Sequence, residues 1–484
     1  MSTLKKELFS SRFGFIAATL GMAIGAGNIW RFPRLAGQYG GSFLITWLVF
    51  LLLWSIPLLI AEYAVGRKER IGVIGAFKRT MGEKFVWMGW FVAFCTSAIM
   101  FYYSVVCGWA LKYFSVAASG QLTEIDHGAF WVGFTSGAQP AFFMIIAMVV
   151  GAGFIYLGIV KGVERFSKIV IPTLYGLMII SAFKALSLDG AGLGLDYFFS
   201  FDSHSLLDYK IWLEGLSQSA WSTGAGWGLI LTYAVYSRSK ESIIGNVFLT
   251  GIGNNLASLL AGLVIIPTVF ALSATTQQAN ELLAVGNQGL AFIAIPELFS
   301  KMPGGNLFGT IFFLSLFFAA LSSLLAMIEL ASCVLIDFGI NRKKAVVTIA
   351  IVAIVLGLPS ALSLDIFNNQ DWVWGVGLIF SGFMFNLLVI KIGPERFVKE
   401  WLQPRKNEAF IAFSFKILFY IIIPLEFVVM LGWWLYQAAT TFSVSAWDPL
   451  ETYSLGTTLL QWALILLVGF ALNKKMSRLL ERSA

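Results

Sequence analysis

The chain has 484 residues, of which 58% are apolar and only 12% charged, with a net charge of +7 and a mean hydropathy of +0.81. Soluble domains carry roughly 25% charged residues, so a soluble surface of this size cannot be covered; disorder, collagen and a disulfide scaffold are excluded as well. An all-α, polytopic membrane protein remains.

A membrane span needs about 20 mainly apolar residues. In chain order such runs fall at 13–37, 41–66, 86–111, 141–159, 166–186, 211–236, 242–272, 307–337, 345–362, 371–391, 409–437 and 455–473, which predicts twelve transmembrane helices. The first run lacks a small-residue cleavage site, so no cleavable signal peptide is expected. With the N-terminus placed inside, 26 of the 33 Lys and Arg fall in inside segments, against four outside. The positive-inside rule then predicts a multi-pass protein of the cell membrane with both termini cytoplasmic. Connectors are short, so 1–484 reads as one transmembrane domain. The stretch 288–300 is too short to cross and is expected to form an external helical cap.

Enzymatic chemistry finds little purchase. Cys95, Cys107 and Cys333 lie in apolar runs, and the two histidines, His127 and His204, lie in polar connectors. A histidine zinc site or a Ser-His-Asp triad inside the membrane is not expected. Neither a Walker A run nor a GxSxG elbow occurs. The basic residues are scattered among loops, so the bilayer, rather than nucleic acid, explains them.

Glycine placement is the most informative feature. The first span contains Gly21, Gly25 and Gly27-Asn28, and the sixth contains Ser222-Thr-Gly224-Ala-Gly226-Trp227. Close helix packing through small residues is the ordinary reading of such glycines. Here they sit at equivalent places of two five-span units, and an odd number of spans inserts the second unit upside down. Gly-interrupted segments at matching positions of inverted halves point to a midplane site in a secondary transporter. The expected architecture is a 5+5 inverted repeat, 13–186 and 211–391, with helices 1 and 6 broken and helices 11 and 12 at 409–473.

Gly25-Ala-Gly-Asn-Ile-Trp-Arg-Phe-Pro33, followed by Gly40-Gly41, resembles the first-helix signature of the neurotransmitter:sodium symporter family. Glu62-Tyr-Ala-Val-Gly66-Arg67, Tyr102-Tyr103, Lys161-Gly162-Val-Glu-Arg165 and Ala320-Leu-Ser-Ser323 are similar to further family segments and follow in the same order. The resemblance implies sodium-coupled symport of an amino acid by alternating access, with no enzymatic activity. It implies a first sodium site at Ala23, Asn28, Ser222 and Asn254, where Asn255 is an adjacent alternative. A second sodium site would use Gly21, Ile24, Ala319, Ser322 and Ser323; hydroxyls back-bonding within their own helix are the competing reading of the two serines. Oxygen-only shells suit a hard cation. The substrate would lie among Ala26, Gly27, Tyr103, Trp221, Gly224, Trp227, Ser323 and Met327.

Monoamine-carrying relatives place an aspartate where Gly25 stands. Its absence favours a substrate that brings its own carboxylate, held beside sodium and the N–H groups of Ala26 and Gly27. The pocket offers no charged residue, so a neutral, apolar or aromatic amino acid is the preferred substrate. A sodium-dependent sensor that hardly transports, or a carrier of another small carboxylated amine, uses the same pocket.

The resemblance pairs Arg31 with Asp371, with Gln218 close by and Trp221 as a lid beneath. On the inside Lys6 or Arg12 would pair with Asp337, near Tyr236. Gly162 and Pro172 bracket nine residues that either unwind or form an ordinary proline kink. Glu62 and Glu329 are expected to bond the broken backbone of helices 1 and 6. Chloride is a candidate ion at Gln218, Ser222, Asn254 and Ser258, although Trp47 stands where chloride-using relatives have a tyrosine. No protein partner is implied; the partners are a small-molecule amino acid and the lipid bilayer.

Overall fold

The computed structural model describes residues 7–239, 241–404 and 406–483; Lys6, named above for an inner gate, lies outside them. The fold is all-helical, with no strand among the described residues. Among the described residues, ten helices are long and apolar enough to cross a membrane without interruption. They are α2 (Ser42–Glu69), α3 (Val86–Ala118), α4 (Gln139–Tyr156), α5 (Ile159–Leu186), α7 (Ile243–Leu272), α8 (Gly305–Asp337), α9 (Arg342–Leu362), α10 (Leu364–Ile392), α11 (Glu408–Thr440) and α12, which starts at Leu455. The first and sixth spans are interrupted. Helix α1 is split into Arg12–Ala23 and Ala26–Tyr39, bent by 69°. Helix α6 is split into Tyr209–Ser222 and Leu229–Ala234.

Both breaks follow from local chemistry. In α1 the chain turns extended at Ile24 (φ −74°, ψ 103°) and Gly25 (φ −121°, ψ −171°). In α6 the linker carries Gly224, Gly226 and Gly228 at φ of 72°, 87° and 76°, a region that L side chains rarely adopt. A Cβ on Gly226 would also stand 2.6 Å from the Gly382 backbone of α10.

Unwound backbone inside a membrane must find partners. Glu62 of α2 accepts from Gly226 N at 2.5 Å, Ser381 of α10 donates to Gly226 O at 2.5 Å and Thr96 of α3 donates to Trp227 O at 2.6 Å. The expected role of Glu62 is therefore observed.

Helices α3 and α8 run through the middle of the bundle, whereas α9, α11 and α12 form the rim. Lipid tails are as apolar as leucine, so packing and polar contacts hold membrane helices together. Hydroxyl pairs do this here: Thr19 of α1 with Thr250 of α7 at 2.8 Å, and Ser55 of α2 with Ser219 of α6 at 2.9 Å.

The segment after α7 forms a helical cap over one end of the bundle. Helices over Thr276–Ala284 and from Gly286 to Ser300 fold over the bundle and bury Phe292 against Trp109, Tyr113 and Trp131.

Candidate functional site

A cavity of about 260 Å³ runs from the two breaks toward the helical cap. Its deep end is lined by Met22, Ala23, Gly25, Gly27, Asn28, Tyr103, Ser222, Gly224, Trp227, Ser323 and Met327; farther out lie Arg31, Gln218, Trp221 and Asp371. Of the eight residues expected around the substrate, seven line it. The exception is Ala26, whose N–H is taken by the Tyr103 hydroxyl at 2.9 Å. That contact leaves the Tyr103 proton free to donate. Gly27 faces open space.

Gly25 is required sterically as well. A Cβ there would stand 2.8 Å from Tyr103 Oη and 3.1 Å from Ser323 Oγ. An acidic side chain at this position would displace the tyrosine.

The oxygens expected at the first cation site converge. Asn28 Nδ2 donates to Asn254 Oδ1 at 2.9 Å and to Ser258 Oγ at 2.8 Å, while Asn28 Oδ1 accepts from Gly25 N at 2.9 Å. Asn254 Nδ2 donates to Ser222 Oγ at 3.1 Å. One end of the Asn254 amide lies 3.2 Å from Ala23 O and 2.9 Å from Ser222 O, where an amide nitrogen would donate to both carbonyls. Acceptors crowded together need a proton donor or a cation between them. Ala23, Asn28, Ser222 and Asn254 converge here, so the neutral set has room for a cation, and Asn254 rather than Asn255 belongs to it.

A second oxygen cluster lies below. Ser323 Oγ stands 3.3 Å from Gly21 O, 3.2 Å from Met22 O and 3.2 Å from Ile24 O, and one hydroxyl proton cannot satisfy all three. Ser322 back-bonds to Ala319 O at 2.9 Å, as its competing reading foresees. The set is neutral throughout, which suits a monovalent ion better than calcium, whose sites use carboxylates. The Met22 carbonyl was not expected. It is exposed by the same break that frees Gly21 and Ile24, so the position of Gly25 was the usable signal.

Among the cavity-lining residues, the Gln218 amide and Trp227 Nε1 lack protein partners among the described residues, and so does the buried Trp47 Nε1.

Several pairings differ from expectation. Arg31 donates to Ser217 Oγ at 2.6 Å and to Glu214 Oε2 at 3.4 Å, both on α6, and forms no ion pair with Asp371. The mouth is therefore open between α1 and α10. Glu214 lies one turn before Gln218 on the same helix face, a spacing visible in the sequence. At the other end, Tyr236 donates to Glu329 at 2.8 Å, and Asp337 accepts from Gly72 N at 2.7 Å. Glu329 does not hold the broken backbone; it is gripped by both Arg342 nitrogens, at 2.9 and 2.5 Å. Arg12 donates to Asn246 at 3.0 Å. Gly162 lies in a π-helical turn, Ile159–Glu164, and Pro172 within α5.

Comparison with known proteins agrees with this arrangement. The sodium:neurotransmitter symporter family matches residues 6–133 and 125–479. The chain is 32% identical over 376 residues to an uncharacterized sodium-dependent transporter of Methanocaldococcus jannaschii, covering 74% of this chain and 75% of that one. It is 30% identical over 383 residues to an uncharacterized sodium-dependent transporter of Bacillus subtilis (76% and 81% covered). It is 26% identical over 399 residues to the sodium-dependent serotonin transporter of Drosophila melanogaster (73% and 64%). The crystal structure of MhsT in complex with L-phenylalanine superposes with a TM-score of 0.78 at 29% identity, covering 88% of this chain and 99% of that one. This is a family of membrane transporters and not of enzymes, and the chain belongs to it: it is a member of the sodium:neurotransmitter symporter family.

Proposed function

We propose that the protein takes up a neutral, apolar or aromatic amino acid with sodium by alternating access. The observation that carries this reading is the paired oxygen clusters at the α1 break, which adjoin a cavity whose far wall is Trp221, Trp227, Met22 and Met327. Two sodium ions occupy those clusters. The substrate carboxylate lies beside Gly27 and the Tyr103 hydroxyl, and its side chain points toward the tryptophans. The MhsT likeness supports an apolar substrate, since that protein was crystallised with L-phenylalanine.

Gly25 leaves no anion to meet a bare amine, which favours a zwitterion. Chloride sits beside Gln218, Ser222, Asn254 and Ser258, with the unpaired indole N–H of Trp47 as a further donor. The first and second five-span units are inverted repeats, and both termini lie in the cytoplasm of a cell whose plasma membrane holds the protein. Sodium entry drives the cycle: each inward charge gains about 2.3 kcal/mol per 100 mV.

The test is uptake into proteoliposomes. Labelled phenylalanine, tyrosine, tryptophan and leucine should accumulate under an inward sodium gradient and not under a potassium gradient. Sodium-dependent binding without any accumulation would instead identify a sensor and overturn transport.

A further inference from the structure

The end of the molecule opposite the cavity mouth contains two carboxylates that the transport site does not use. Glu7 precedes α1, and Glu164 lies in the π-helical turn that begins α5. Glu7 Oε2 accepts from Ile159 N at 2.9 Å and its Oε1 from Val160 N at 3.1 Å. It thereby satisfies the first orphan N–H groups of α5, as a capping side chain does. Glu164 returns the favour to the start of α1. It accepts from Ser10 N at 2.7 Å, Ser10 Oγ at 2.5 Å and Ser11 Oγ at 3.1 Å, with Lys168 at 2.6 Å. Two segments about 150 residues apart thus cap each other reciprocally.

Two glycines make the room. A Cβ on Gly14 would overlap the Glu164 carboxylate, and one on Gly158 (φ 93°) would stand 2.6 Å from Glu7 Oε2. The joined segments cover the inner face of α6. Phe9 N donates to Tyr236 O at 3.0 Å, its ring meets Phe15 and Tyr233, and Arg238 donates to Phe9 O at 3.0 Å. Beneath them Tyr236 Oη lies 3.1 Å from the sulfur of Cys333. Two helical turns beyond Glu164, Ile171 would touch a Cβ on Gly21, whose carbonyl belongs to the second oxygen cluster.

We propose that Glu7 and Glu164 form a two-sided latch that holds the start of α1 on the start of α5 and keeps the inner end shut while the mouth is open. The latch rests on the alternating-access reading for its purpose, but not for its existence. Both carboxylates give up their partners when the start of α1 swings away, which uncaps α5 and uncovers Tyr236 and Cys333. Glu7 and Glu164 are positioning residues: they touch neither ion nor substrate.

Native Cys333 reports the opening. In the purified full-length protein, N-ethylmaleimide alkylation of the three cysteines is followed by peptide mass spectrometry, with amide hydrogen exchange over 155–165. In Glu7→Ala and Glu164→Gln, loss of charge-assisted caps should speed Cys333 alkylation about tenfold and deprotect Ile159 and Val160. Cys95 and Cys107, buried in α3, should stay unreactive. A rise at all three cysteines reports unfolding, and then Ser10→Ala/Ser11→Ala, which removes only two hydroxyl groups, decides between the outcomes. Unchanged Cys333 alkylation together with unchanged exchange would overturn the latch. Faster Cys333 alkylation in a protein that binds no amino acid in sodium would support the latch while defeating the transport reading.

Discussion

The middle and the inner end of this molecule handle buried polar groups in opposite ways. At the middle, the carbonyls of Ala23 and Ser222 meet around the Asn254 amide, and three carbonyls compete for the single proton of Ser323. At the inner end every carboxylate described above has its partner: Glu329 has Arg342 and Tyr236, Glu164 has Ser10, Ser11 and Lys168, Glu7 has two amides, and Asp337 has the Gly72 amide. Buried acceptors without donors are costly. The carbonyls crowded at the middle leave a place that an external ligand can complete, whereas the four carboxylates named at the other end are each paired. The Arg31–Glu214 contact lies beside the cavity mouth, at the opposite end from these pairs.

Removing one side of the inner door should have the largest effect on stability. Glu329 is fully buried and pairs with both Arg342 nitrogens. Stranding it by Arg342→Ala should cost about 3–5 kcal/mol, read as a lower unfolding midpoint in detergent. Glu329→Gln added to that variant should recover part of the loss. At the middle the effect should fall on ligands instead: Asn254→Ala removes the amide that faces two carbonyls and should weaken sodium affinity by about 1.5–3 kcal/mol, measured as the sodium dependence of amino-acid binding. The fold should persist, because the helix loses no cap and no charged partner.

The spans were legible in the sequence because each is a long apolar run, and the structure moves most boundaries by a few residues only. The two breaks were legible because Gly25 and the Gly224–Gly228 alternation allow backbone that other residues resist. The pairings of the charged groups were not. Arg31 could reach Glu214 or Asp371, and Tyr236 could reach Glu329 or Asp337. Which wins depends on the rotation of α6, α8 and α10 about their axes, to which apolar composition is indifferent. The Glu7 and Glu164 contacts join segments remote in sequence and leave no local pattern, apart from glycines at 14 and 158 that only coordinates explain.

Smaller perturbations sharpen the contrast. Gly25→Ala should push the Tyr103 hydroxyl aside and weaken amino-acid binding by about 1–2 kcal/mol, with little change in unfolding midpoint, in a titration at saturating sodium. Glu214→Gln should matter least. Its carboxylate is partly exposed and 3.4 Å from Arg31, so the loss in stability should stay within about 1 kcal/mol.

Equilibrium binding of labelled phenylalanine to the purified protein, in sodium and then in potassium at equal ionic strength, tests the central assignment most directly. If the crowded oxygens at the α1 break hold sodium next to the substrate, binding should be saturable in sodium, nearly absent in potassium, and lost in Asn254→Ala. Equal binding in both salts, or sodium-dependent binding that survives Asn254→Ala unchanged, would contradict it.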